Sequence, residues 1–496
     1  MGFLQKKIGL VFFLGIVFIL YFPMLLSPQD FWDGDIIMHA FDTHNYSIYK
    51  LWFNEAGLHL SSFLYDIFRF TSTGKQYKFF VSLLQISLLI TSAIELGKIS
   101  KLLFGFEGKE KLIVLISFVC TPIWLNLYSS VFLLHIFTIY LALYVVRIFL
   151  VGNFKWWHYI VVAVSFQHNS NALLIYSFIS AGYVLVQDNR DAAYFKKALL
   201  LFIVGTLYFF IYRYFFPAYG LYEDYNQLKL SSLLNVAAYK NFFLTFFELY
   251  VFLFLSIFLI LIINRSVSLL ISVVVICMLI VVNMLPYIVV GKFSTDVVHG
   301  WSSRFMFQSV IPLTLLFGFL YKVKFKSVSY FFIVISFLPL LYSFYMATNV
   351  KLGTAVYKQD LKLEVERNQL DNGCVVYLRF PQGGRMSSYA INKIFYDSKG
   401  FISSVPIIVP YYGVKKYERA YIENEESKIK KIIMNIDYRE KYIWPDKYPT
   451  CFQDVEVLVD FEKINDLSLY EKLMLLAALD APGSSILLSK GEVYEK

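Results

Sequence analysis

Charged side chains are scarce in this chain, and that scarcity is its first informative feature. Of its 496 residues, 16% are Asp, Glu, Lys or Arg, whereas 58% are hydrophobic and 19% are aromatic. The mean hydropathy of +0.58 is higher than soluble domains usually reach. Several runs of 18 or more nearly uncharged apolar residues match the length of a bilayer-spanning helix. We therefore predict a polytopic α-helical membrane protein.

Nucleotide-binding motifs are also lacking. The chain has no P-loop and no strand, glycine loop and helix in the order of a dinucleotide fingerprint. Its net charge of +9 would suit a nucleic-acid partner, but the Lys and Arg residues fall in short loops between apolar runs, where they set orientation. We expect the lipid bilayer, and no nucleic acid, among the partners.

No small-residue cleavage site follows the first apolar run, so we interpret residues 8–26 as a retained anchor helix rather than a signal peptide. Lys6 and Lys7 precede this run and predict a cytoplasmic N-terminus. Basic loops then recur on the same side and predict about ten spans within a transmembrane domain of residues 1–349. The apparent spans outside residues 156–186 are approximately 8–26, 79–96, 112–128, 131–150, 198–216, 242–263, 269–290, 305–321 and 330–346.

The composition changes near residue 350. Residues 350–496 contain the strand-like runs VVYLRF, FISSVPIIVPYY (residues 401–412) and EVLVDF and the helix-like run SLYEKLMLLAALD. Together they predict a soluble α+β domain outside the membrane. Cys374 and Cys451 both fall in this region, where an oxidising compartment would permit a disulfide bond.

Residues 156–186 contain the polar run Gln167 to Asn171 between two short apolar stretches. Either one span with a polar break or a re-entrant hairpin of two short helices fits this pattern. We favour the hairpin, because it keeps Lys155 and Lys196 on the cytoplasmic side. Polar backbone at membrane depth must line a cavity or be buried in protein.

The first outer loop, residues 28–78, gathers acids and imidazoles beside the membrane: Asp33, Asp35, His39, Asp42 and His44. Gly34 would let the backbone turn so that Asp33 and Asp35 face one site. One carboxylate could be a general base, or the pair could hold a divalent cation such as Mg²⁺ or Mn²⁺. An ordinary polar turn is the alternative, and no ligand set has a familiar zinc spacing. Residues 55–70 predict an amphipathic helix that lies in the membrane interface.

Other polar residues lie at the predicted outer membrane depth: Arg213, Arg304, His168, Trp301 and Glu248. A guanidinium suits two phosphate oxygens, so Arg304 and Arg213 are candidates to bind a lipid-linked phosphate. Interfacial snorkelling is the alternative role for both arginines. Glu248 could neutralise Arg213, and His168 could bind sugar hydroxyls or cap the hairpin helices.

The layout resembles the GT-C superfamily, whose members are integral membrane glycosyltransferases that use polyprenyl-phosphate sugars. FWDGDIIMHAFD, SFQHNSNALL and GWSSR carry the resemblance, and the chain looks most like the bacterial serotype-converting group that adds glucose to O-antigen. The resemblance implies that Asp33 or Asp35 is the base and that Arg304 holds the donor phosphate. The paired acids that are adjacent in relatives are split here by Gly34, which leaves open which one acts.

The resemblance also implies the partners and the compartment. They are an undecaprenyl-phosphate sugar as donor, a lipid-linked or surface polysaccharide as acceptor, and the periplasmic face of the bacterial inner membrane. An O-antigen or capsule polymerase is the alternative function. A transporter of lipid-linked glycans is a third alternative; it would need polar residues threaded through several spans, whereas here they are concentrated at the predicted outer surface and no inverted repeat is visible.

Overall fold

The computed structural model describes most of the first 367 residues and short stretches after them. The described residues are 2–27, 29–31, 34–59, 61–168, 170–186, 191–219, 229–292, 301–322, 326–367, 374–379, 451–456, 464 and 466–478. Asp33 and the predicted strand at residues 401–412 lie outside the described residues.

The described chain is mostly helical. Its α-helices are α1 Gly2–Leu26, α2 Gly34–Asp42, α3 Ser47–Glu55, α4 Ser61–Asp66, α5 Gly74–Phe104, α6 Gly108–Val119, α7 Leu133–Leu150, α8 His158–Ser165, α9 Ser170–Leu185, α10 Ala192–Phe215, α11 Val236–Asn264, α12 Val267–Val289, α13 Phe307–Phe319, α14 Lys326–Arg367 and α15 Leu469–Ala478. Short 3₁₀ helices lie at Pro122–Tyr128, Ser130–Phe132, Leu230–Leu234, Trp301–Met306 and Leu320–Lys322.

Eight of the described helical stretches are long and apolar enough to cross a membrane, and a ninth is added if the bent pair described below is one span. The sequence predicted about ten spans, so the count is lower by one or two. The difference arises partly at α8 and α9, which have only 8 and 16 residues. A span of the hydrocarbon core needs about 20 residues.

Local sequence explains where the long helices begin and end. The Thr73 side chain accepts a hydrogen bond from the Gln76 amide at the start of α5, and Gly105 ends that helix with φ +66°. Asp191 and Ser266 cap α10 and α12 in the same way as Thr73 caps α5. Such caps satisfy amide groups that have no partner within the helix.

The predicted straight span at residues 112–128 is bent. Helix α6 and the 3₁₀ helix that follows it meet at 50°, and the break falls at Thr121, immediately before Pro122. Proline lacks an amide hydrogen and disfavours helical geometry in the preceding residue. We call residues 121–132 the 3₁₀ segment, and every one of its residues is buried.

Helices α8 and α9 form a hairpin beside α7. His158, at the start of α8, lies near Tyr144 in the second half of α7, with ring centroids 6.1 Å apart. At the turn, the His168 ring lies 4.2 Å from His135, near the start of α7. Helix α9 then runs back toward the end of α7. Tyr194 of α10 shows this, because it donates a hydrogen bond to the Ile179 carbonyl of α9 and its ring packs on Phe149 at the end of α7.

The predicted amphipathic helix at residues 55–70 is shorter than expected, because α4 covers only Ser61–Asp66. Tyr65 and Phe68 face the protein, whereas Phe63, Ile67 and Phe70 are each more than 60% exposed. The Tyr65 hydroxyl donates to the carbonyls of Ser130 and Val131. An apolar face therefore points away from the bundle, as a helix in the membrane interface requires.

The two ends of the helix bundle differ in their charged groups. Lys98 and Arg147 both pair with Glu95 near the ends of α5 and α7. At this same end Lys322 donates to the Phe104 carbonyl, and Lys109 donates to the Tyr330 hydroxyl. The opposite end carries α2, the hairpin turn, the 3₁₀ segment and the start of α13.

Helix α14 continues without interruption through the predicted domain boundary at residue 350 to Arg367. Beyond it, β1 Cys374–Arg379 and β2 Cys451–Glu456 pair in parallel, with Cys374 opposite Cys451. The Lys472 ammonium of α15 donates to Asn349 of α14 at 2.8 Å. β1 and α15 coincide with the predicted strand VVYLRF and the predicted helix, whereas β2 shares only Glu456 with the predicted strand EVLVDF. These elements do not by themselves show a separate α+β domain.

Candidate functional site

Four buried charges meet beneath α2, and we call them the acid–lysine cluster: Asp30, Asp35, Lys78 and Lys358. The Lys358 ammonium lies 2.7 and 2.9 Å from the two carboxylate oxygens of Asp35. It also donates to the Asp30 carbonyl at 2.6 Å. Each of the four residues is less than 5% exposed, and buried charges persist only where opposite charges and hydrogen bonds compensate them.

The second half of the cluster centres on Asp30. Its Oδ1 accepts hydrogen bonds from the amides of Phe31 at 2.7 Å and Ser130 at 2.9 Å. The Lys78 ammonium lies 3.9 Å from the same oxygen and donates to the Tyr128 carbonyl. Asp30 therefore ties the end of α1 to the 3₁₀ segment and to α5.

Gly34 is required by this packing rather than by a turn that presents two acids. A Cβ atom added at Gly34 would lie 2.1 Å from Asp30 Oδ1 and 2.6 Å from Ser129 Oγ. No real Cβ contact is that short, so a residue with a side chain cannot occupy position 34 without a shift of the backbone. Glycine is needed here because the start of α2 packs directly against the buried Asp30 carboxylate. Ser129 donates its own hydroxyl hydrogen to the Phe31 carbonyl.

Asp42, His39 and His44, the other described residues predicted for the acidic loop, have different surroundings from Asp35. Asp42 accepts a hydrogen bond from the Gly74 amide at 2.6 Å, at the start of α5. His39 is buried within α2, and His44 is exposed at φ +54°, with Nδ1 3.3 Å from the Tyr46 hydroxyl. Asp35 forms a buried ion pair with Lys358, whereas Asp42 binds the start of α5.

Four nitrogen-bearing side chains gather at the same end of the bundle: His135, His168, Lys292 and Arg304. We call them the cationic cluster after its two members that can carry a positive charge near neutral pH, Lys292 and Arg304. The two imidazole rings are 4.2 Å apart. Arg304 acts electrostatically on Lys292 and His135, and both cations lie over the Phe305 ring, with centroid distances of 4.6 Å for Arg304 and 5.8 Å for Lys292. Burial, with the charge of Arg304, lowers the pKa of Lys292 to about 7.

Buried hydrogen bonds fix the position of His168. Its Nδ1 is 2.5 Å from the Ser170 hydroxyl, which is 3.3 Å from the Tyr287 hydroxyl. Tyr287 donates to Gln308 at 2.6 Å, and Gln308 donates to Asn171 at 3.0 Å. This network joins α9, α12 and α13, and a fully bonded buried network makes a rigid support.

The 3₁₀ segment contacts both clusters. Ser130 binds Asp30, whereas the Asn126 amide donates to Ser303 at 2.8 Å, next to Arg304. Phe132 packs against His135, with ring centroids 5.1 Å apart. The buried 3₁₀ segment therefore lies between the acid–lysine cluster and the group of basic side chains around Arg304.

The remaining predicted residues lie apart from these clusters. Arg213 is half-buried near the end of α10 and Glu248 is exposed on α11; no ion pair joins them among the described residues, so the predicted neutralisation is not observed. Trp301 begins the 3₁₀ helix that carries Arg304, but its side chain lies outside what the structure describes.

The predicted divalent cation has no assembled site in the described part of the chain. No three His, Cys, Asp or Glu side chains converge there. Asp33 lies outside the described residues, so metal binding by the Asp33–Asp35 pair stays a prediction.

Sequence reasoning missed Asp30, Lys78, Lys358, His135 and Lys292. Lys358 and Asp30 are 328 residues apart in sequence, and no local pattern joins them. Ionisable residues inside apolar helices were the available signal, because Lys78 and His135 lie in apolar runs of α5 and α7. Comparison with protein-family models, curated proteins and solved structures finds no match to this chain.

Proposed function

We propose that this chain is an integral membrane glycosyltransferase that moves a sugar from a polyprenyl-phosphate carrier to a surface glycan. The observation that carries the proposal is the placement of the acid–lysine and cationic clusters on either side of the 3₁₀ segment. Glycosyl transfer from a lipid phosphate needs a base for the acceptor and cations for the phosphate, and the two clusters supply these two chemistries at one end of the bundle.

The phosphate site in this proposal is the cationic cluster. Arg304 offers several N–H donors that suit two phosphate oxygens, and Lys292 and His168 lie beside it. A bound phosphate anion would favour the protonated form of Lys292, whose pKa is about 7 in the free protein. Its position at the ends of α12 and α13 would leave the lipid chain among the apolar helices.

The proposed reaction exchanges one bond at the anomeric carbon. The acceptor hydroxyl oxygen attacks that carbon while the carbon–oxygen bond to phosphate breaks. The hydroxyl proton passes to a carboxylate of the acidic loop, and the lipid phosphate leaves as an anion that Arg304 and Lys292 stabilise. Asp33 and Asp35 are the candidate bases, and Lys358 orients Asp35 through both of its oxygens.

The finer assignment follows the sequence resemblance. We propose undecaprenyl-phosphate glucose as donor, O-antigen or another surface glycan as acceptor, and the periplasmic side of the bacterial inner membrane as the location. The bundle end that carries Lys98, Arg147 and Lys322 would then face the cytoplasm, in accord with the positive-inside rule.

The test is the composition of surface polysaccharide in a deletion strain complemented with wild type, Asp33→Asn, Asp35→Asn or Arg304→Gln. We expect one decorating sugar to be lost at unchanged chain length, to return with wild type, and to stay absent with Arg304→Gln and at least one Asn variant. His44→Gln is the matched control, since His44 is exposed and outside both clusters. Shortened polysaccharide chains would replace the proposal with a polymerase, and full rescue by every variant would refute it.

A further inference from the structure

A small apolar groove runs between α8 and α10. It has a volume of about 260 Å³, and its walls are almost wholly apolar. Residues from both helices form it: Tyr159, Ile160, Ala163, Val204, Gly205 and Tyr208. A typical small-molecule site encloses roughly 300–1,000 Å³ and places several polar groups around its ligand. This groove is therefore suited to a segment of hydrocarbon chain and not to a sugar.

The groove faces the outside of the bundle rather than its interior. In the most apolar stretch of α10 only 11% of the residues are buried, compared with 83% in the span that contains α13. Ile160, on its α8 wall, is 60% exposed. A chain dissolved in the surrounding hydrocarbon could enter sideways without crossing a polar barrier.

One end of the groove adjoins the cationic cluster. The Gln167 amide donates to the Tyr208 hydroxyl at 3.1 Å and accepts from the Tyr212 hydroxyl at 3.1 Å. The next residue is His168, whose ring lies 4.2 Å from His135. The groove therefore ends at Gln167, which directly precedes a member of the cationic cluster in the chain.

The close approach of α10 to the hairpin depends on Gly205. A Cβ atom there would lie 2.2 Å from the Tyr176 hydroxyl and 2.7 Å from the Phe166 ring. Phe166 directly precedes Gln167 in the hairpin turn, so this contact packs α10 at Gly205 against the turn. The groove is thus a built feature of the α8–α10 contact.

We propose that this groove binds the first isoprenoid units of a polyprenyl phosphate whose phosphate lies at the cationic cluster. The inference rests on the proposed function and adds to it the path of the lipid chain. From the cationic cluster outward, the protein presents basic side chains, then the polar turn at Gln167, then an apolar groove open to lipid. A lipid phosphate has the matching sequence of groups, because its anionic phosphate is followed by a hydrocarbon chain.

Binding of undecaprenyl phosphate to the full-length protein in detergent, measured by native mass spectrometry, tests the inference. Ala163→Phe fills the groove, and the same substitution at exposed Ala193, in the first turn of α10, is the matched control. We expect Ala163→Phe to weaken binding about tenfold, which corresponds to about 1.4 kcal/mol, and Ala193→Phe to leave it unchanged. Inorganic phosphate should bind Ala163→Phe as it binds wild type.

Three outcomes separate this inference from the proposed function. If Ala163→Phe binds undecaprenyl phosphate like wild type while Arg304→Gln loses it, the groove assignment is wrong and the phosphate site stands. If dodecyl phosphate binds as tightly as undecaprenyl phosphate, an ordinary straight chain suffices and the isoprenoid assignment is wrong. If wild type binds inorganic phosphate but no lipid phosphate, the proposed function itself fails.

Discussion

The pair formed by Asp35 and Lys358 makes a quantitative prediction about stability. Lys358→Met removes the ammonium that lies 2.7 and 2.9 Å from the two Asp35 oxygens and leaves a carboxylate that is 2% exposed. Removing one partner of a buried pair typically costs about 3–5 kcal/mol. Asp35→Asn should cost less, because Lys358 keeps its hydrogen bond to the Asp30 carbonyl.

The double variant Asp35→Asn with Lys358→Met removes both charges together. Replacing a whole buried pair by neutral groups is often close to neutral for stability, so the double variant should be more stable than Lys358→Met alone. The assay is the unfolding of purified protein in detergent for wild type, both single variants and the double variant. Lys326→Met is the control on the same helix, since Lys326 is exposed and should change stability by about 0.5 kcal/mol or less. Strictly additive effects of the two single substitutions would refute the ion pair.

The remaining predictions concern the cationic cluster, Gly34 and the C-terminal cysteines. Phosphate affinity should fall as pH rises through about 7, because the pKa of Lys292 is about 7 and only its protonated form attracts the anion. Calorimetric titration of the Lys292→Arg variant should show a weaker dependence of phosphate affinity on pH. A pH dependence equal to that of wild type would contradict the assignment. Gly34→Ala should destabilise the protein by about 1–3 kcal/mol, as overpacking does, because its Cβ would lie 2.1 Å from Asp30 Oδ1. Gly15→Ala has nothing within 4 Å of the new Cβ and should be neutral or stabilising in the same unfolding assay; equal effects would mean that Gly34 is not packed as described. Cys374 lies opposite Cys451 in the strand register, so we expect a disulfide in cells, and full alkylation of both thiols without reductant would exclude it.

The sequence was sufficient to predict the helical membrane character, because composition and run length depend only on local residues. The C-terminal ends of α1, α10, α11 and α12 fall within one residue of the predicted span ends, whereas α1, α10 and α11 each begin six residues before the predicted spans. Caps such as Asp191 and Ser266 mark the starts of α10 and α12. The bend at Thr121 was missed, although Pro122 was a visible signal for it. The turn between α8 and α9 could be anticipated because polar residues interrupt an apolar run.

The site was less predictable than the fold, because it depends on contacts between distant parts of the chain. Asp35 was identified from its neighbours, yet its partner Lys358 is 323 residues away. Asp42 was grouped with Asp35 because both lie in one loop, and both belong to α2. Their partners nevertheless come from distant parts of the chain, because Asp42 binds the Gly74 amide at the start of α5 whereas Asp35 pairs with Lys358. Arg304 was identified from its depth at the start of a predicted span, whereas Lys292, which lies in the same connection between α12 and α13, was missed.

The most direct test of the central claim is transfer of a radiolabelled sugar by the purified full-length protein. The donor would be undecaprenyl-phosphate glucose, and the acceptor would be lipid-linked glycan extracted from the deletion strain. We predict label in the glycan with wild type and with His44→Gln, loss of transfer with Arg304→Gln, and loss with Asp33→Asn or Asp35→Asn. Equal transfer by wild type and Arg304→Gln, or no transfer by a wild-type protein that binds the donor, would contradict the account.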